Sequence, residues 1–272
     1  MTIQTPTASI VGLRLRLAQS PAEIRAAQTL RYAVFYDELG AEMPFDHGRE
    51  KIDVDDFDTI CDHLLVISSG STFNPDLAVE DGHVVGTYRL LLQHKTERGR
   101  GFYGEAEFEL SSLLVRHTRL KFLELGRSCI LPAYRGTPVV ELLWQGIWNY
   151  VRENKIDVMI GCASFDGIDI SPHIAALHFL TRDMTVPDQW QVRAQPGRAV
   201  DLGNKPVTMP DLKTLLTRLP PLIKGYLRLG SYFGRDAVID RAFNTTDVLV
   251  VLPVANINPR YFARFGEPLV NR

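Results

Sequence analysis

One dipeptide restricts the fold more than any other feature. Asp81-Gly82 separates two apolar segments, 77–80 and 83–92, and Asp-Gly in that setting marks a tight two-residue hairpin. An antiparallel strand pair excludes a sheet wound entirely in parallel. Around the hairpin, strand-like and helix-like segments alternate irregularly. Residues 10–18 (IVGLRLRLA) alternate apolar and polar, the period of a half-buried strand. Ser20-Pro21 places Ser at the N-cap and Pro at the first turn of a helix that runs through Ile24, Ala27, Val34 and Phe35 and stops near Gly40. Further strands are expected at 63–68, 122–130, 158–163 and 247–252. Residues 138–151 form an amphipathic helix whose stripe is Val140, Leu143, Trp144, Ile147, Trp148 and Val151, with both tryptophans assigned to the core. Shorter helices are expected at 171–180, 222–229 and 259–265, while 184–210 is ambiguous. This pattern predicts an α/β protein with a mixed sheet.

Composition removes whole classes of function. The 272 residues are 45% hydrophobic and 23% charged, ordinary values for a globular chain with a sizeable core. A net charge of −2 gives no global basic field for nucleic acid, so none is expected as a partner. Cys61, Cys129 and Cys162 are widely spaced, with no CxxC pair. They suit a reducing compartment and form neither a disulfide framework nor a zinc site. The N-terminal stretch lacks the basic-then-apolar order of a secretory signal, and no apolar run approaches the roughly 18–20 residues of a spanning helix. The expectation is a cytoplasmic protein, peripheral to the inner face of the membrane at most.

The distribution of charge matters more than its total. Residues 37–58 carry nine acids against Arg49 and Lys51, a local charge of −7, in a loop of about twenty residues without apolar periodicity. Residues 205–241 carry seven Lys/Arg against three Asp, a local charge of +4. The first suits a cationic ligand and the second an anionic partner; both also read as solvated faces. No phosphate-binding glycine loop, GxSxG elbow or HExxH helix occurs, and Cys129 has no neighbouring His. With no metal ligand set and no activated nucleophile, the remaining chemistry lies in Arg, Asp and Glu residues in the loop and at strand ends. Such a set suits direct transfer between two bound substrates.

The ordered segments LRYAVFYDELGA (30–41), DVDDFDTICDHLLV (53–66), VVGTYRLLL (84–92), FYGEAEFELSSL (102–113) and LELGRSCILPAYRG (123–136) resemble the acyl-carrier-protein-dependent N-acyltransferases of the GNAT superfamily. LLWQGIWNYV (142–151), GCASF (161–165) and PPLIKGYLRLG (220–230) extend the likeness over roughly 13–265, and it is strongest to the L-ornithine Nα-acyltransferases. The resemblance implies a mixed, mostly antiparallel central sheet flanked by helices. It implies a core over 1–205 and an extension over 206–272 that packs on the core and faces a membrane or the carrier protein. The implied reaction transfers a (3-hydroxy) fatty acyl chain from acyl carrier protein to the α-amine of L-ornithine, giving lyso-ornithine lipid. The alternative acceptor is another amine, as in acyl-homoserine-lactone synthesis. Those synthases resemble the chain more distantly and carry a Trp after the first helix, where this chain reads Leu39-Gly40-Ala41.

The resemblance also implies site residues. Arg31 and Phe35, four apart on one helix face, Asp55, Asp58 and Arg89 fall on the substrate-binding pattern, and Glu124, Arg127 and Asp58 on the catalytic one. Glu124 is the candidate base, acting directly or through water, and Arg127 its candidate partner. On spacing alone, Arg31–Asp58 and Glu124–Arg127 also read as fold-holding ion pairs. Residues three apart on a regular strand face opposite sides, so Glu124 and Arg127 converge only if the strand bulges near Gly126. Tyr134-Arg135-Gly136-Thr137-Pro138 replaces the complete pyrophosphate loop of acetyl-CoA enzymes. Arg135 and Gly136 are therefore the expected contacts for the single phosphate of 4'-phosphopantetheine, which arrives on the carrier protein, with no permanently bound cofactor. Lys224, Arg228 and Arg235 interleave with apolar residues over 219–235 and suit either an anionic membrane surface or the wet edge of a core helix.

Overall fold

The computed structural model describes residues 8–10, 12–42, 50–70, 74–96, 101–203, 209–258 and 261. Its strands are β1 (Ala8–Ile10), β2 (Leu13–Leu17), β3 (Asp62–Ser68), β4 (Ala78–Val79), β5 (Gly82–Leu92), β6 (Phe122–Ile130), β7 (Val158–Asp166), β8 (Tyr232–Asp240) and β9 (Thr245–Pro253). Its helices are α1 (Pro21–Tyr32), α2 (Gln93–Thr96), α3 (Leu110–Arg116), α4 (Val139–Asn154), α5 (Ile174–His178), α6 (Leu212–Arg218) and α7 (Pro221–Leu229). The strands form one sheet in the order β1-β2-β3-β5-β6-β7-β9-β8, with β4 paired to β5 at the hairpin. Among the described residues only β6 and β7 pair in parallel, so the sheet is mixed and mostly antiparallel, as expected.

Helices cover both faces, which is why β3 reads as a continuous apolar run rather than an alternation. Leu64 and Val66 point into a core built with Leu143, Ile147 and Trp148 of α4. Leu65 and Ile67 point the other way, onto Ala26, Ala27 and Leu30 of α1. Gly146 lets α4 approach closely, since a Cβ there would fall 2.8 Å from Leu64. Val140 departs from the predicted stripe and is 44% exposed. It lies on the buried side of the helix, between the directions of Ile147 and Val151, but in the first turn of α4, whereas the buried residues follow from Leu142 onward, Val139 apart. Trp148 is buried as expected, and half-buried Trp144 packs edge-on against Tyr226 at 5.4 Å.

The N-cap of α1 forms as read: Ser20 Oγ accepts from Glu23 N, with Pro21 at the first turn. Beyond Tyr32 the helix widens over Ala33–Glu38, where Leu39 N bonds Val34 O, five residues back. Phe35, inside the wider turn, packs edge-on against Phe243 at 5.6 Å, while Arg31 on the regular turn before it binds Asp53 and Asp58. The strand expected at 77–80 shortens to two residues because a turn at Pro75–Leu77 takes its start. The helix expected at 171–180 breaks into short pieces around α5. The 259–265 helix falls outside the described residues, Tyr261 apart.

Residues 206–272, expected as an extension packed on the core, supply two strands of the central sheet. β9 inserts between β7 and β8 along the full length of β7. The sequence reading missed β8, whose burial runs in pairs instead of alternating, with a register break between Phe233 and Ala237. Ile223 and Tyr226 bury α7 against the same core as α4.

Candidate active site

The site follows from how β6 and β7 part. Their ladder holds for three pairs and ends at Glu124↔Ile160. At the fork, Gly161 is required, since a Cβ there would fall 2.4 Å from Leu125 O. Beyond it, β6 stays with β5 and β7 stays with β9. The gap is a cleft with Leu125, Gly126, Arg127 and Ser128 on one wall and Cys162, Ser164 and Asp166 on the other.

β6 bulges where the spacing of Glu124 and Arg127 demanded it. Thr87 of β5 faces Cys129, but Arg89 faces Gly126, so β6 carries one extra residue between them. Arg127 absorbs it with φ +50°, a region that non-glycine residues seldom occupy. Glu124 and Arg127 both line the cleft as a result. They do not pair with each other, which corrects the expected partnership: Arg127 Nε lies 3.1 Å from Asp53 and Nη2 lies 3.2 Å from Asp55. Its guanidinium is held over the rings of Tyr103 (4.8 Å) and Phe243 (4.4 Å).

Behind this wall, three arginines and three aspartates close on one another. Arg31 is 1% exposed and binds both carboxylate oxygens of Asp58 at 2.8 Å. Its Nε lies 2.7 Å from Asp53, and Nη2 also donates to the Asp53 carbonyl. Arg89 reaches Asp55 at 2.6 Å and Asp58 at 3.1 Å. Gln28 donates to Asp58 at 3.0 Å, and the backbone N of Asp55 does so at 3.2 Å. Burial opposes charge at Asp58, but the hydrogen bonds and charge of Arg31 with the charge of Arg89 hold its carboxyl well below the usual range. Asp53 is likewise held down, by Arg127 and Arg31 against burial. Of the residues singled out in the sequence, Phe35, Arg89, Glu124 and Arg127 line the cleft. Arg31, Asp55 and Asp58 do not; they form the bracket that fixes Arg89 and Arg127. The acidic loop is therefore tied down where it meets the sheet, and Asp58 has few free lone pairs to offer a ligand.

Glu124 is set differently. It is 5% exposed and accepts from the backbone N–H of Tyr103 and Gly104, both at 2.7 Å. No arginine touches it among the described residues. Burial pushes its pKa up to about 7, against the two N–H donors and Arg89. A carboxylate poised near neutrality can take a proton and release it. The thiols are not poised: burial pushes Cys61 and Cys129 up to about 12. Arg135 lies elsewhere, 45% exposed and bidentate to Glu38 at 2.5 and 2.7 Å, beside Gly136 at φ +74° and just before α4.

The chain matches the acetyltransferase (GNAT) domain family over residues 30–145. It is 46% identical to an L-ornithine N(alpha)-acyltransferase of Rhizobium meliloti (strain 1021) over 273 residues, covering 97% of this chain and 89% of that one. It is 46% identical to the enzyme of that name in Agrobacterium fabrum over 257 residues, 93% and 85% of the two chains. This chain belongs to the L-ornithine N(alpha)-acyltransferase family. Among solved structures, an N-acyl amino acid synthase from uncultured soil microbes matches at 10% identity and TM-score 0.49, over 92% of this chain and 97% of that one.

Membership in the family does not by itself place the side chains that sequence reasoning overlooked. Asp53 was counted only as loop charge, yet it bridges Arg31 and Arg127. Tyr103 and Phe243, far apart in the chain, hold the Arg127 guanidinium. Asp247 reads as the start of an apolar strand, yet it lines the cleft. Only cross-strand register brings these together, and no local pattern encodes it.

Proposed function

We propose that this N-acyltransferase moves a (3-hydroxy) fatty acyl chain from acyl carrier protein to the α-amine of L-ornithine, giving lyso-ornithine lipid in the cytoplasm. The observation that carries the reading is Glu124: a buried carboxylate near neutrality, held by two backbone N–H groups where β6 and β7 part. The α-amine arrives mostly protonated, and Glu124 takes its proton directly or through one water. The amine then attacks the thioester carbonyl; a C–N bond forms, the C–S bond breaks, and the thiolate leaves with a proton. The parted strands give the thioester arm an entry, and backbone groups no longer in the ladder are donors for the carbonyl oxygen. Arg127, fixed by Asp53, Asp55 and two rings, presents a stationary cation for the substrate carboxylate.

Arg135, Gly136 and the N-terminus of α4 are the proposed contacts of the phosphopantetheine phosphate, with Glu38 yielding Arg135 on binding. No helix among the described residues is long and apolar enough to cross a membrane. Contact with anionic lipid is proposed through the wet edge of α7, where Arg228 is exposed and Lys224 donates to Thr217 O at 2.8 Å, with Arg235 on β8. Co-sedimentation with anionic vesicles checks this; equal binding by wild type and a K224Q/R228Q/R235Q variant contradicts it. The reaction is tested with purified protein, 3-hydroxyacyl carrier protein and L-ornithine, the product being read by mass spectrometry. The expected product is Nα-acylornithine, with a lower kcat/KM for the matched acyl-CoA. Equal use of acyl-CoA contradicts the donor, and a higher kcat/KM for another amine contradicts the acceptor.

A further inference from the structure

The cleft continues past Glu124 into a polar end built by β7, β8 and β9. Register places Ser164 opposite Asp247 and Asp166 opposite Thr245, with Asp240 opposite Thr245 on its other side. These five side chains line the cleft. The cations of that lining, Arg89 and Arg127, are ion-paired with Asp53, Asp55 and Asp58, and among the described residues neither forms an ion pair with Asp166, Asp240 or Asp247. Glu107 approaches from the turn after Tyr103–Ala106, and its carboxylate, the Cys162 thiol and the Asp247 carboxylate lie within 4.8 Å of one another. Asp247 is 6% exposed, and its Oδ1 has no hydrogen-bond partner although it is buried. An orphaned carboxylate oxygen facing a cleft is costly unless a ligand completes it.

A cation is the partner that a lining with Asp166, Asp240 and Asp247 suits. The donor set is a poor cage for a divalent metal, since burial and the nearby acids hold the Cys162 thiol well above its ordinary range, and Arg198 lies 3.3 Å from Glu107. An ammonium needs no deprotonated thiol and is satisfied by carboxylate and hydroxyl oxygens. Geometry links this end to the reacting end. The missing side chain of Gly104 would lie 3.1 Å from Glu124 Oε1 and 3.7 Å from Cys162 Sγ, and Cys162 in turn adjoins Asp247.

We propose that Asp247, with Asp240 beside it, holds the side-chain ammonium of the amino-acid acceptor. Resting on the acceptor assigned above, this makes Asp247 the residue that selects a basic amino acid and decides which nitrogen reacts. The Nδ ammonium, held at the acidic end, keeps its proton and has no lone pair for attack. The α-nitrogen, at the Glu124 end, loses its proton and takes the acyl group. Selection and regiochemistry thus come from one contact.

The test compares wild type, D247N and D240N with L-ornithine and L-norvaline, which shares the carbon skeleton but lacks the δ-amine. The acylated nitrogen is read by tandem mass spectrometry. D247N is expected to lower the ornithine-to-norvaline ratio of kcat/KM on the order of 10–100-fold, mainly through the KM for ornithine, as the loss of a charged hydrogen bond implies. Nδ-acylated product is expected to appear beside Nα product, and D240N should act in the same direction more weakly. An unchanged ratio in both variants, with Nα product only, overturns the inference while leaving the acceptor assignment standing. A wild type that does not acylate ornithine overturns the acceptor assignment, and this inference with it.

Discussion

Two groups of acids surround one cleft, and they obey opposite electrostatic rules. Asp53, Asp55 and Asp58 meet Arg31, Arg89 and Arg127, and the carboxyls of Asp53 and Asp58 are held below their ordinary range. Glu124, Glu107 and Asp247 are also buried, but Arg198, itself 44% exposed on its side chain, is the only cation bridged to them among the described residues. Burial pushes Glu124 and Glu107 up to about 7 and Asp247 up to about 6. Asp53 and Asp58 are as buried as the second group; the counter-cation decides the outcome. Saturated acids brace the site, and acids without cations await a proton or a ligand. A search for conspicuous charge finds the first group, whereas chemistry is expected in the second.

The largest effect that would break this comparison is kinetic. Glu124→Gln should lower acyl transfer on the order of 10²–10⁴-fold while lowering the melting temperature only by the loss of one of its two backbone hydrogen bonds, measured by turnover and calorimetry on the same preparation. An isosteric change in the saturated group should do the reverse. Asp58→Asn leaves Arg31 and Arg89 buried against a neutral amide, at a cost of about 3–5 kcal/mol, read from the urea midpoint.

The same substitution at Asp247 sharpens the contrast. Asp58 has a depressed folded pKa, so its contribution is present above the unfolded value and disappears as pH falls through the folded one. Asp247 has a raised pKa, so its contribution is present at low pH and is lost as pH rises through about 6. Asp247→Asn should therefore be at least as stable as wild type at pH 8, while Asp58→Asn unfolds first; a shared loss would dissolve the distinction. The smallest effect concerns the donor. Arg135→Gln should raise the KM for the acyl carrier protein severalfold and flatten the decline of rate with added salt, since exposed charge steering is screened.

Local chemistry made part of this legible in the sequence. The Ser20-Pro21 cap, the Asp81-Gly82 hairpin and the bounds of β6 follow from residues adjacent in the chain. The bulge at Arg127 was legible for a subtler reason: Glu124 and Arg127 could share one cleft in no other way. What escaped the sequence depends on distant register. Asp247 joins the cleft because it sits across from Ser164, and Phe243 meets Arg127 from a turn more than a hundred residues away. Arg31 and Asp58 stood out by spacing, yet spacing alone does not distinguish a bracket from a ligand contact. Their burial and mutual saturation do.

The most direct test of the central claim is the pH dependence of kcat/KM for ornithine, in wild type and Glu124→Gln, at fixed saturating acyl carrier protein. Glu124 must be ionised to accept a proton, so the wild-type value should climb about tenfold per pH unit on the acid side and bend near pH 7. The variant should be slower throughout and lack that bend. A Glu124→Gln enzyme with near-normal turnover and the same bend would contradict the assignment, and with it the claim that the acids without cations carry the chemistry.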